Sequence, residues 1–222
     1  VSISETGVAY LELCRDLLDQ FDEVEASVRE VHSAPKGRIR MSAPTAFGEM
    51  HLVQALANFQ TMYPDISIDL DLSNRRVSLV EEGFDLVIRI GQLADSSMIA
   101  RKLANIRVVT CASPYYLEKY GTPSHPTELA QHNCLIDNNM RVGRHWPYLE
   151  NGKQIKVDVS GHFQANSPSA IRRMVTHGVG IGFCPIYVLQ QDILTGRVLT
   201  LFEDMEALNF GVYAIYPHRK NL

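Results

Sequence analysis

The chain has 222 residues, 45% of them hydrophobic and 21% charged, with a formal charge of −4 at pH 7. This is ordinary globular composition, enough for two small α/β lobes, and a pI near 6.1 argues against the stretch itself gripping a phosphate backbone. No apolar run approaches the ~20 residues that span a bilayer, and the start carries no secretory pattern. Val1-Ser2-Ile3 reads as a cut within a longer protein, which leaves a removed signal peptide open. Cys14, Cys111, Cys134 and Cys184 are scattered, with no C-x-x-C and no His at zinc spacing. They read as reduced, buried thiols with no metal site, a redox sensor being the alternative.

Residues 8–33 read as one long helix. Tyr10, Cys14, Leu17, Phe21, Val24, Val28 and Val31 recur at steps of four and three, with charged residues between them. Such a heptad seam predicts packing against a partner helix; an amphipathic helix lying on its own domain is the alternative. Ala34-Pro35-Lys36-Gly37 ends it as a hinge. Gly37–Ala43 then alternates as a strand, and Pro44-Thr45 turns directly into a helix marked by Phe47, Leu52, Val53, Leu56, Phe59 and Met62. Ile66–Leu72 alternates as a second strand. A short helix is expected around Val77–Glu82, closing at Gly83. Phe84–Gly91 is almost wholly apolar, as a strand covered on both faces should be. This β-α-β-α-β order predicts an open α/β layer.

Further along, Ile106–Ala112 reads as a strand and Ser113-Pro114 opens a helix ending at Tyr120-Gly121. A small helix at Thr127–His132 leads to the strand Cys134–Ile136. Trp146–Leu149 and Gln154–Val159 flank Asn151-Gly152, a hairpin turn signal. Phe163–Asn166 precedes Ser167-Pro168, which starts a helix closed by Gly178. Gly180–Cys184, Val198–Phe202 and Phe210–Tyr216 complete the strands, with a helix beginning at Ile186–Leu189.

Three helix starts share one design: Ser42-Ala-Pro-Thr45, Ser113-Pro114 and Asn166-Ser-Pro168. Each follows a strand, so each is expected at a carboxyl end, where open α/β sheets bind ligands and where free N–H groups receive anions. Ordinary N-caps are the alternative. Arg89 interrupts the apolar run Leu86-Val-Ile-Arg-Ile90, and its guanidinium fits either a ligand carboxylate or an ion pair with a residue such as Asp85. Nothing nominates a catalytic site or a cofactor. Gly178-Val-Gly-Ile-Gly182 has G-x-G-x-G spacing and lies between a helix and a strand, the reverse of a dinucleotide loop.

These residues together resemble a LysR-type transcriptional regulator. The resemblance is carried by Gly37-Arg-Ile-Arg-Met-Ser-Ala-Pro-Thr-Ala-Phe-Gly48, Glu82-Gly-Phe-Asp-Leu-Val-Ile-Arg-Ile-Gly91, Ala112-Ser-Pro-Tyr-Tyr-Leu117, Gly121-Thr-Pro123, Gly178-Val-Gly-Ile-Gly182 and Gly196-Arg-Val-Leu199. It implies two Rossmann-like lobes as in type II periplasmic binding proteins, preceded by a linker helix. On that plan residues 1–35 form the linker and dimerisation helix, 37–110 and 209–222 lobe I, and 111–208 lobe II. The strand 209–216 crosses back to lobe I.

The resemblance further implies a non-enzymatic cytoplasmic regulator, a homodimer or homotetramer, binding a small and anionic organic effector between its lobes. It would touch operator DNA only through a winged helix-turn-helix absent from this chain, with RNA polymerase as a further partner and no membrane. Effector contacts are implied at Ser42, Pro44, Thr45, Ala46, Phe47, Asn166 and Ser167. Arg89 and Ser113 are added from the residues themselves, and Phe183 as an apolar wall. A free-standing solute-binding protein is the rival, and would lack the heptad helix.

Overall fold

The structure, a computed structural model, describes residues 35–75, 77–91 and 99–217. The heptad seam Tyr10, Cys14, Leu17, Phe21, Val24, Val28 and Val31 lies outside the described residues.

The first strand, β1 (Gly37–Ala43), runs parallel to β2 (Ile66–Leu72) and to β3 (Leu86–Gly91). Between β1 and β2, the helix α1 starts at Thr45–Phe47, widens into a π-helical turn at Gly48–Leu52 and continues as Val53–Met62. At Gly48 a Cβ would stand 2.2 Å from Leu72 Cδ2, so a larger residue there would require the Leu72 side chain to turn away. The expected helix at Val77–Glu82 is not present. Instead Leu79–Gly83 forms a turn in which Gly83 N–H donates to Val80 C=O (3.2 Å) and Phe84 N–H to Leu79 C=O (2.9 Å). This is the C-terminal half of a helix without its body: Gly83, at φ 65°, takes the left-handed position that closes such an end.

The strand β4 (Ile99–Ala112) is twice as long as its apolar half, Ile106–Ala112, predicts. Its first half pairs with β11 (Asn209–Tyr216), and its second half pairs with β9 (Ile181–Pro185) and β10 (Leu199–Leu201). β9 in turn runs parallel to β5 (Cys134–Asp137), and β5 to β8 (Gln164–Ala165). One continuous sheet results, in the order β2-β1-β3-β11-β4-β9-β5-β8. The chain crosses from one lobe to the other inside β4 and returns at the start of β11, so two antiparallel strands join the lobes.

The hairpin β6 (His145–Glu150) and β7 (Lys153–Asp158) covers the second lobe. Asn151 at φ 49° and Gly152 at φ 76° make its turn, with both central residues left-handed as a two-residue hairpin of this kind requires. The helices α2 (Pro114–Tyr120) and α3 (Pro168–Thr176) begin at Ser113 and Ser167, whose hydroxyls accept the N–H of Tyr116 and Ala170. A short helix α4 (Gln190–Leu194) follows β9.

Each lobe is a sheet covered on both faces. In the second, Trp146, Tyr148, Ile136 and Phe183 pack on one side and Val109, Ile171, Val175 and Leu189 on the other. In the first, Met41, Ile88 and Val212 pack under α1, while Leu79, Phe84 and Val87 pack opposite.

Candidate functional site

Parallel strands in each lobe point their carboxyl ends at the gap between the lobes, the position at which open α/β sheets bind ligands. A cleft of about 840 Å³ lies there. Its lobe I wall holds Pro44, Ser73, Asn74, Arg89 and Val77, with Tyr213 and Ile215 of the returning strand. Its lobe II wall holds Asp137, Asn139, Arg141, Lys156, Pro185 and Tyr187.

Of the sequence-derived site residues, Pro44 and Arg89 line this cleft. Thr45 and Asn166 do not, but each is hydrogen-bonded to the lining residue Asn74, and Ser167 directly precedes the lining Pro168. The link between them is Asn74. It accepts the Thr45 N–H on Oδ1 (3.1 Å) and donates from Nδ2 to the Asn166 C=O (3.1 Å). Asn139 Nδ2 donates to the same carbonyl at 2.5 Å. The free N–H expected at the start of α1 is therefore occupied by a side chain that bridges the two lobes. Ala46 and Phe47 are spent on the same junction. Ala46 is buried with Val109, Leu135 and Val188 of lobe II, and the Phe47 ring meets Tyr187 edge-on at 5.7 Å.

Three expectations are corrected. Ser42 is fully buried in β1 beside Val87, on the face covered by Leu79 and Phe84, because the strand's alternation turns it away from the gap. Ser113 lies at the far end of lobe II. β4 runs antiparallel to β9, with Val108 beside Pro185 and Cys111 beside Gly182, so its carboxyl end is remote from the cleft. The Ser113 hydroxyl sits against Gly178 instead. Phe183 is no cleft wall either: its ring stacks on Trp146 with centroids 5.0 Å apart, inside the lobe II core.

The electrostatics of the cleft differ from those of the chain. Among the described residues, Arg75, Arg89, Arg141 and Lys156 line it together with one carboxyl, Asp137. Arg75 is committed to a two-pronged pair with Glu82 at 2.8 and 2.5 Å, which holds the Glu82 carboxyl down at about 2. His145, on the rim, meets Asp158 at 2.5 Å. Burial pushes the Asp137 carboxyl up to about 6, against the opposing effect of the Asn139 N–H that it accepts. The buried hydroxyl of Tyr187 is likewise raised, by desolvation first and by the Asp137 charge second. Asp137, Asn139, Arg141 and Lys156 were not among the sequence-derived residues. The end of the apolar strand Cys134–Ile136 could have pointed to Asp137, whereas hairpin residues such as Lys156 reach the cleft only through tertiary packing.

Two lobes, a continuous sheet crossed twice between them and a polar interlobe cleft define a two-lobe binding domain of the periplasmic-binding type. Residues 32–222 match the family described as the LysR substrate binding domain. The chain belongs to that family. It is 28% identical over 219 residues to an uncharacterized HTH-type transcriptional regulator of Haemophilus influenzae, covering 99% of this chain and 76% of that one. It is 33% identical over 185 residues to an HTH-type transcriptional regulator of Xanthomonas campestris, covering 82% of this chain and about half, 54%, of the relative. Among solved structures, CrgA, a LysR-type transcriptional regulator from Neisseria meningitidis, superposes with a TM-score of 0.77 at 29% identity, over 99% of this chain and 74% of that one. The chain is thus the effector-binding portion of a LysR-type regulator, and the solute-binding protein is not favoured.

Proposed function

We propose that the cleft senses a small organic anion and that the lobes transmit its presence to a DNA-binding part of the same regulator. One observation carries this reading. In a chain of net charge −4, the described lining of the cleft gathers Arg75, Arg89, Arg141 and Lys156, with Asp137 the one carboxyl among those described residues. A cleft lined by one sign of charge concentrates ligands of the other. The regulator acts in the cytoplasm as a homodimer or homotetramer, without catalysing a reaction. Operator DNA and RNA polymerase are met outside the two lobes, and the ligand acts by binding one arrangement of the lobes better than another.

Melting measured against a panel of organic acids, each paired with its neutral amide, tests the proposal. At 100 times its Kd a ligand stabilises by about 2.7 kcal/mol, a rise of roughly 5–10 °C for a domain of this size. The acids should produce that rise and the amides should not. Arg141→Ala with Lys156→Ala should shrink it without lowering the unliganded melting point, because both side chains are exposed. Arg89→Ala should also weaken binding; normal binding together with a much lower melting point would make Arg89 structural. Equal response to acids and amides would sink the anionic reading.

A further inference from the structure

We infer that the ligand of this cleft is a bifunctional organic acid, bearing a hydroxyl or ammonium group that seats on Asp137 while its acid group seats among the cleft's cations. The inference rests on the anionic reading above and adds a second anchor to it.

The argument starts from two buried aspartates treated differently by the fold. Asp192, with no exposed surface, is held by two guanidinium groups, Arg172 and Arg197, the latter at 2.8 Å. Asp137 is nearly as deeply buried, at 6% exposure, yet among the described residues no Lys, Arg or His comes within 4.0 Å of its carboxyl. What it has is the Asn139 N–H, donated to Oδ1 at 2.9 Å. An ionised carboxylate offers about four acceptor positions, and burying one without donors or a counter-charge is costly.

Its surroundings do not make up the deficit. Met140, Pro168 and Pro185 supply apolar surface to the same wall. The titratable neighbours that feel the Asp137 charge, Tyr187 and Cys184, are both held in their protonated, neutral forms. Asp137 nevertheless lines the cleft, as Arg89 does from the other lobe. A donor brought by the ligand completes the carboxylate from the cleft side, and a volume of about 840 Å³ accommodates a molecule with two polar ends. A ligand that is only an anion would instead place a second negative charge in this enclosed space, where like charges oppose one another.

The rival is that Asp137 merely caps its own turn, where Met140 N–H also donates to its main-chain carbonyl at 3.1 Å. Asp137→Asn separates the two, since the amide keeps an oxygen for the Asn139 N–H but loses the charge. Calorimetric titration at pH 7.5 would use three series, each of about three to six carbons: unbranched carboxylates, the corresponding ω-amino and ω-hydroxy carboxylates, and the corresponding amines. At one chain length the substituted acid should bind wild type at least about tenfold more tightly than its parent. Asp137→Asn should erase that advantage without weakening the parent acid. Asp137→Ser, which also retains an acceptor, repeats the comparison should the amide variant fold poorly. Parent and substituted acids binding alike, or an advantage that survives Asp137→Asn, overturns the inference and leaves the anionic reading intact. Amines that bind where no acid does overturn the anionic reading, and silence from all three series overturns both.

Discussion

A buried carboxyl without a counter-ion is a liability to the fold as well as an anchor for a ligand. In Asp137, burial raises the carboxyl from an ordinary 3.8 to about 6. Between about pH 4 and 6 the folded chain therefore holds a proton that the unfolded chain has released, so this group's contribution falls as pH rises through that window and is level above it. Two pH units correspond to roughly 3 kcal/mol at most. Unliganded Asp137→Asn should accordingly melt higher than wild type at pH 7.5, and the gain should fade towards pH 4. Melting curves of both proteins across that range provide the check; a gain independent of pH would show that charge burial is not its source. Asp192 predicts the opposite sign. Asp192→Ala removes the acceptor shared by Arg172 and Arg197, and with it the tie between α3 and the turn that leads into β10. The loss should be about 1–3 kcal/mol in denaturant melts, below the usual cost of breaking a buried pair, because the arginine side chains are 29% and 60% exposed and can return to water.

Among the elements, those marked by local chemistry were legible in the sequence and those defined by strand direction were not. Asn151-Gly152 announced its hairpin because only left-handed residues close a two-residue loop. Ser113-Pro114 and Ser167-Pro168 announced helices because a serine followed by proline caps the first turn. Their equivalence stopped there: alternation reveals a strand but not which way it runs, so Ser113 was assigned to the cleft although β4 points it away. The half of β4 over Ile99–Asn105 lacked a clean alternation and is held by pairing with β11. Gly178-Val-Gly-Ile-Gly182 differs from a phosphate loop in its spacing, and packing accounts for its glycines. Gly178 closes α3 at φ 71°, a Cβ on Gly180 would stand 2.3 Å from the Asn133 carbonyl oxygen, and one on Gly182 2.6 Å from Val175 Cγ2. Gly180→Ala should therefore cost about 1–3 kcal/mol, the usual price of overpacking, measured by chemical denaturation. An unaffected midpoint would mean that the Asn133 loop yields freely.

For the whole molecule, the question is what sets the angle between lobes joined by two strands. β4 and β11 fix the connection, and among the described residues side chains from α1 and from the loop after β2 reach across the cleft. Ala46 and Phe47 bring apolar contact from α1 to Val188 and Tyr187. Asn74 adds the polar bridge, one amide spanning the Thr45 N–H of lobe I and the Asn166 carbonyl of lobe II. The sequence could not show this bridge, because an asparagine after a strand is an ordinary loop residue until its partners are known. Its position gives it two effects: it favours the closed arrangement, and it occupies the N–H at the start of α1 that an anion would otherwise use. Asn74→Ala removes both at once, and amide exchange separates them. A net hydrogen bond is worth about 1 kcal/mol, so the Thr45 amide should exchange roughly fivefold faster in the unliganded variant. If closure dominates, affinity for the acids identified by melting should fall by a similar factor, because the binding-competent arrangement has become rarer. If competition for the N–H dominates, affinity should rise while the exchange change persists. An unchanged Thr45 amide would remove Asn74 from the junction and leave contacts such as those of Ala46, Phe47 and His51 to hold the lobes together.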